Sequence, residues 1–223
     1  MAKPWDKVKR KRGRKVRRLR SLHRYLIVCE DEKSSRLYLQ SFPYDRNLIE
    51  VKPHGGCGET LSVVETGIAM KEEAKKSGIP YVETYCVIDR DDHPIGRYRK
   101  AFPEAEKHND LRVIWANEAF ELWYLLHFNF IDTGLRRTAL NSKLAELLER
   151  KYRKNDDSIY QDLLDKTEIA IRNARQLEKR HANCPSPYLE NPSTNVHHLI
   201  EVLQKLVALS AGDDAPRAES PAG

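Results

Sequence analysis

The sequence predicts an α/β protein: a mostly parallel sheet flanked by helices, followed by a helical C-terminal region. Three observations carry this. Short apolar runs alternate with longer amphipathic stretches from Arg24 to about Asp132, the pattern of a layered α/β domain. Beyond about Thr133 the strand signal disappears while helical periodicity continues. The chain of 223 residues is long enough for a real hydrophobic core. The division expected is a basic arm over 1–22, a sheet domain over 23–132, a helical region over 133–209 and a disordered tail over 210–223.

Taken in order, Tyr25 to Cys29 is a compact apolar strand, followed by a charged turn and a helix over Ser34 to Ser41. Leu48 to Lys52 reads as a weaker strand. A loop, Pro53-His54-Gly55-Gly56-Cys57-Gly58, leads into a helix from Thr60 to Lys76 that Ser77-Gly78 and Pro80 end. Its glycines suit either a backbone nest for phosphate or a permissive turn. Tyr81 to Ile88, rich in aromatic and β-branched residues, is the strongest strand, and Arg97 to His108 resumes helical spacing. Val113 to Ala116 is a fourth strand. Asn117 then serves as N-cap for a buried helix over Phe120 to Phe128. The C-terminal helices expected are Leu140 to Tyr152, Glu168 to Arg180 and Asn195 to Leu209, with Thr194 as an N-cap residue.

Composition excludes several classes. A mean hydropathy of -0.68, with no apolar run near the roughly 20 residues that cross a bilayer, argues against a membrane span. With no secretory leader pattern at its start, the chain is expected in the cytoplasm. Cys29, Cys57, Cys86 and Cys184 form no Cys-x-x-Cys pair, so they read as reduced thiols and not as a disulfide framework or a cysteine zinc site. The charge is uneven. From Lys3 to Arg24 there are 12 Lys or Arg against one acid, Asp6, so +11 of charge sits on an arm of a chain whose total is +6, and the rest carries -5. Lys9, Arg12, Arg17 and Arg18 on that arm are candidate phosphate contacts, because a block of like charge gains from counterion release only beside a polyanion.

The chemistry is expected where acids gather at strand ends. Glu30 and Glu32 follow the first strand; Asp89, Asp91 and Asp92 follow the third. In an open parallel sheet those ends share one edge, where ligand sites form. If Glu30 and Asp89 come from neighbouring strands they converge, and in extended backbone Asp89 and Asp91 point the same way. Such a set suits a hard cation, magnesium or manganese; the alternative is solvated turn residues. Glu121 lies in an almost wholly apolar helix, where an ionised carboxylate needs a cation, an arginine partner or a solvent-facing position. Arg90 and His93 flank the aspartates as candidate substrate contacts, although a loop His before Pro94 is more often a turn residue. His127, Trp115, Trp123 and Tyr124 read as core.

Four blocks in order, Tyr25-Leu26-Ile27-Val28-Cys29-Glu30, Val87-Ile88-Asp89-Arg90-Asp91-Asp92-His93-Pro94, Asn117 through Phe128, and Asn191-Pro192-Ser193-Thr194, resemble the signatures of the RloB-like family from about Arg24 to about Leu206. The resemblance implies a Toprim-like fold in which Glu30, Asp89 and Asp91 bind magnesium and act, with Glu121 in support, on phosphodiesters of DNA or a tRNA-like RNA. It also implies an effector subunit of a bacterial anti-phage system working with an ABC-type ATPase. The chain carries no Gly-x-x-x-x-Gly-Lys-Ser/Thr loop, so nucleotide hydrolysis would come from another chain. Where the family usually has Glu-Gly-Glu-x-Thr-Glu, this chain has Glu30-Asp31-Glu32-Lys33-Ser34-Ser35, and Glu118 stands where proline is common. These departures keep open a second reading, a catalytically silent module that binds nucleic acid or a partner.

Overall fold

The computed structural model describes residues 23–54, 60–91 and 94–213. The basic arm with Lys9, Arg12, Arg17 and Arg18, the glycine-rich loop from Gly55, Asp92, His93 and the tail from residue 214 lie outside the described residues.

Strands β1 (Arg24–Cys29), β2 (Ile49–Pro53), β3 (Tyr81–Asp89), β4 (Leu111–Asn117) and β5 (Ser193–Thr194) form one sheet in the order β2-β1-β3-β4-β5. The first four run parallel and β5 is antiparallel to β4. Helices α1 (Ser34–Gln40), α2 (Thr60–Lys76), α3 (Ile95–Glu106), α4 (Glu121–Leu126), α5 (Arg137–Leu147), α6 (Ile159–Leu163), α7 (Thr167–Arg180) and α8 (Val196–Asp213) complete the chain.

The central strands carry mostly apolar residues because both faces are covered, as parallel sheets require. On β1, Leu26 and Val28 face a cluster with Val63, Val64, Tyr98 and Phe102 of α2 and α3, while Ile27 and Cys29 face the opposite cluster. That second cluster takes in Trp123 of α4, Leu144 of α5, Leu163 of α6, Leu177 of α7 and Leu203 of α8. The helical region therefore buries its stripes on the sheet's other face. On α2, Gly67 permits close approach to the sheet: a Cβ there would meet Cys86 Sγ at 2.7 Å.

Several expectations are corrected. Asn117 is not an N-cap; it ends β4, and its Nδ2 donates to the Tyr188 carbonyl at 3.3 Å. Strand structure does not stop at Thr133, because Thr194 and Ser193 pair with Ala116 and Asn117. A strand of two residues has no alternation for the sequence to display. The fifth helix starts at Arg137, earlier than the apolar pattern suggested, and the short α6 was not expected. The last helix starts at Val196, where the Thr194 hydroxyl accepts from the backbone N–H at 3.2 Å, and continues past Leu209 to Asp213. Its apolar side is spent within the chain: Val196, Leu199, Ile200, Leu203 and Leu206 are buried, so that face is no docking surface for another protein.

Candidate functional site: an acidic edge held by an arginine

Glu30 and Asp89 leave the carboxyl ends of β1 and β3, which are hydrogen-bonded neighbours. The ladder continues past the strands, since Glu30 N donates to the Val87 carbonyl at 2.9 Å and the Asp89 N–H donates to Glu30 Oε2 at 3.0 Å. The two acids thus converge as expected from their positions. Asp91 reaches the same place by a different route from the one expected. The strand stops at Asp89, and Asp91 has φ of 37°, the left-handed region that Asp tolerates better than most residues. Its N–H donates to the Glu118 carbonyl at 2.9 Å, so a turn, and not extended alternation, brings Asp91 back over Asp89.

One cation spans the pair. Arg137 at the start of α5 places Nη2 3.3 Å from Asp89 Oδ2 and pairs through Nη1 with Asp91 Oδ2. Neighbouring Arg136 faces Glu118 Oε1 at 3.6 Å, and Asn191 Nδ2 donates to Glu118 Oε2 at 3.3 Å. Arg90 turns inward, donating to the Asp91 carbonyl at 2.8 Å and lying over the Tyr98 ring at 5.5 Å.

Glu121 is 1% exposed and, among the described residues, pairs with no arginine. Its Oε1 accepts hydrogen bonds from the Ser34 and Tyr152 hydroxyls, both at 2.9 Å, while Oε2 is buried without a hydrogen-bond partner. The solvent-facing and arginine-paired readings therefore fail. The buried carboxylate bears electrostatically on both Asp31 and Asp89. Glu32 is exposed and offers Arg36 only its carbonyl. Asp31 belongs to the site instead: its Oδ1 accepts from Lys33 N at 2.9 Å and from Ser35 Oγ at 3.3 Å.

Electrostatically the edge is over-acidic. Burial, followed by repulsion from Asp31, Glu121 and Glu30, pushes the Asp89 carboxyl well above the ordinary range, and Arg137 offsets only part of this. Burial and Glu121 raise Asp31 in the same direction. Arg137 gives up hydration, but Asp89, Asp91, Glu121 and Asp31 hold its proton more firmly than usual. The sign for stability follows. A carboxyl whose folded pKa exceeds its unfolded value contributes stability below about pH 4, and loses it as pH rises through the folded value. In chelator-treated protein, Asp89→Asn is expected to raise Tm relative to wild type, with a gain that grows from pH 4 to pH 8; a pH-independent difference would contradict the assignment.

The donor set, hard carboxylate oxygens with a buried oxygen of Glu121 left unsatisfied, is chemistry that fits magnesium. The spacing is that of an arginine-bridged site. Among the described residues, the only His, Cys, Asp or Glu group whose donor atoms all lie within 4.8 Å of one another is Glu178, His197 and His198, on α7 and α8.

A family model for RloB-like protein matches residues 25–203, spanning β1 through the first two turns of α8 and every side chain of this edge. The chain belongs to the RloB-like family. No curated protein and no solved structure matches it. Within this RloB-like chain, the Asn191-Pro192-Ser193-Thr194 block has a structural task that its sequence did not reveal. Trp115 Nε1 donates to Ser193 Oγ at 3.0 Å, the Thr194 hydroxyl donates to the Trp115 carbonyl at 2.8 Å, and Asn191 holds Glu118. Asn195 adds both halves of its amide to the β4 backbone, at Trp115 N and Val113 O.

The core assignments hold for His127, Trp123 and Tyr124. His127 is buried between the Trp123 carbonyl and the Tyr38 hydroxyl, and burial lowers its pKa to about 4. Trp115 is partly buried against Phe102 and Tyr188. Cys29 and Cys86 are buried free thiols, and Cys184 is a partly exposed one. No helix among the described residues is long and apolar enough to cross a membrane.

Proposed function

We propose that this RloB-like chain is a magnesium-dependent nuclease of Toprim type, with manganese as a substitute, cleaving phosphodiesters of DNA or RNA in the cytoplasm. In this reading it is the effector of an antiviral system that works with an ABC-type ATPase. The observation that supports it is the convergence of Glu30 and Asp89 from adjacent parallel strands, the Asp89 backbone N–H donating to Glu30 Oε2 at 3.0 Å, with Asp91 turned back beside them. Glu30, Asp89 and Asp91 would hold the ion, which when bound would polarise a phosphate oxygen and offset charge developing there.

The remaining work falls to the chain itself. Arg137 presents a planar donor fork that pairs with phosphate as readily as with the two carboxylates it now engages. The Glu30 carboxylate takes the proton of an attacking water. Ser34 and Tyr152 fix Glu121, whose charge bears on both Asp31 and Asp89. The basic arm supplies sequence-independent attachment to the polymer.

The test is incubation of the purified chain with double-stranded DNA and with tRNA in magnesium, beside Asp89→Ala and a chelator control. Cleavage by wild type alone is expected; equal cleavage by both proteins would sink the assignment. The silent binding module is the outcome if neither cleaves while the wild type still retains the polymers.

A further inference from the structure

Outside the acidic edge, two helices bring three metal-binding side chains together. Glu178 lies in the last turn of α7, and His197 and His198 lie in the first turn of α8. Successive residues on a helix point about 100° apart, so two adjacent histidines seldom address one partner. Here they do. His197 Nε2 lies 3.3 Å from Glu178 Oε2, His198 Nε2 lies 2.7 Å from Glu178 Oε1, and the ring centroids are 4.0 Å apart at 34°.

We propose that Glu178, His197 and His198 form a binding site for a divalent transition ion of zinc type, distinct from the acidic edge. Two imidazole nitrogens and one carboxylate oxygen, all within 4.8 Å of one another, are a borderline-soft donor set that suits zinc and not magnesium. His197 is 1% exposed, and its other nitrogen, Nδ1, is buried with no partner. Nε2, facing Glu178, is therefore the engaged atom of that ring. Glu178 and His198 are about half exposed, with 47% and 51% of their side chains accessible, so the site opens to solvent on one side and leaves a position for water. Glu201, also on α8, is already engaged by Arg175 at 3.0 Å and is not counted among the ligands. The bound ion would pin the end of α7 to the start of α8, immediately after β5 in the chain.

The experiment uses the full chain carrying Glu30→Gln and Asp89→Asn, which removes magnesium-type background at the acidic edge. It is stripped with chelator and titrated with zinc and with cobalt. One equivalent of zinc is expected to bind and raise Tm, and cobalt is expected to give a visible absorption band of nitrogen and oxygen ligation. Adding His198→Gln or Glu178→Gln, both at exposed positions that leave the core intact, should weaken zinc binding about tenfold or more. Absence of zinc stabilisation and of a cobalt band would overturn the site, as would unchanged affinity in either variant.

Discussion

Glu30→Gln is expected to lower magnesium-dependent cleavage by about 100-fold or more, while Glu32→Gln leaves it within about twofold. The two glutamates are separated by one residue, and sequence alone treats them as a pair. The structure separates them. Glu30 is the side chain that the Asp89 backbone N–H meets, whereas Glu32 is exposed and off the edge. Glutamine keeps the shape and the acceptor oxygen of Glu30, so that hydrogen bond can persist and the strand ends stay in register. What is lost is one negative charge among acids that already strain to stay ionised. Calorimetric magnesium binding should fall together with the rate. A Glu30→Gln protein that cleaves normally would remove this carboxylate from the reaction and favour the binding-module reading.

The second large effect concerns the fold. Leu203→Ala is expected to destabilise the isolated chain by about 2–5 kcal/mol in urea denaturation, because the side chain is 1% exposed within the cluster shared with the sheet. Leu206, 8% exposed at the margin of that cluster, should cost less on the same change. The order matters more than either value. If α8 were a docking helix, Leu203→Ala would leave the stability of the isolated chain untouched.

The strands and the acids at their ends were legible because their signals are local. A run such as Tyr25 to Cys29 states its own burial, and Glu30 and Asp89 follow strands whose adjacency parallel topology makes common. Arg137 gave no such signal. It meets Asp89 across 48 positions of sequence, and nothing in its neighbourhood marks it apart from other helix-start arginines. Tyr152 reaches Glu121 across 31 positions in the same way. Asp31 was visible only as a departure, standing where the family carries glycine. In the structure it restores acid to a motif whose last carboxylate has become Ser35, and Ser35 donates to it. Glu118, the other departure, gives its carbonyl to the Asp91 turn and its carboxylate to Arg136 and Asn191.

The contacts around the acidic edge also impose an order in time. A nascent chain that has emerged only through α4 already possesses Glu30, Asp89, Glu118 and Glu121, yet it lacks the Arg137 that holds Asp89, the Tyr152 that holds Glu121 and the Asn191 amide that holds Glu118. The antiparallel pairing of Thr194 with Ala116 joins the middle of the chain to a segment synthesised much later. The contacts from Arg137, Tyr152 and Thr194 therefore form only after most of the chain has been synthesised, and a shorter product carries the acids without the arrangement that holds them.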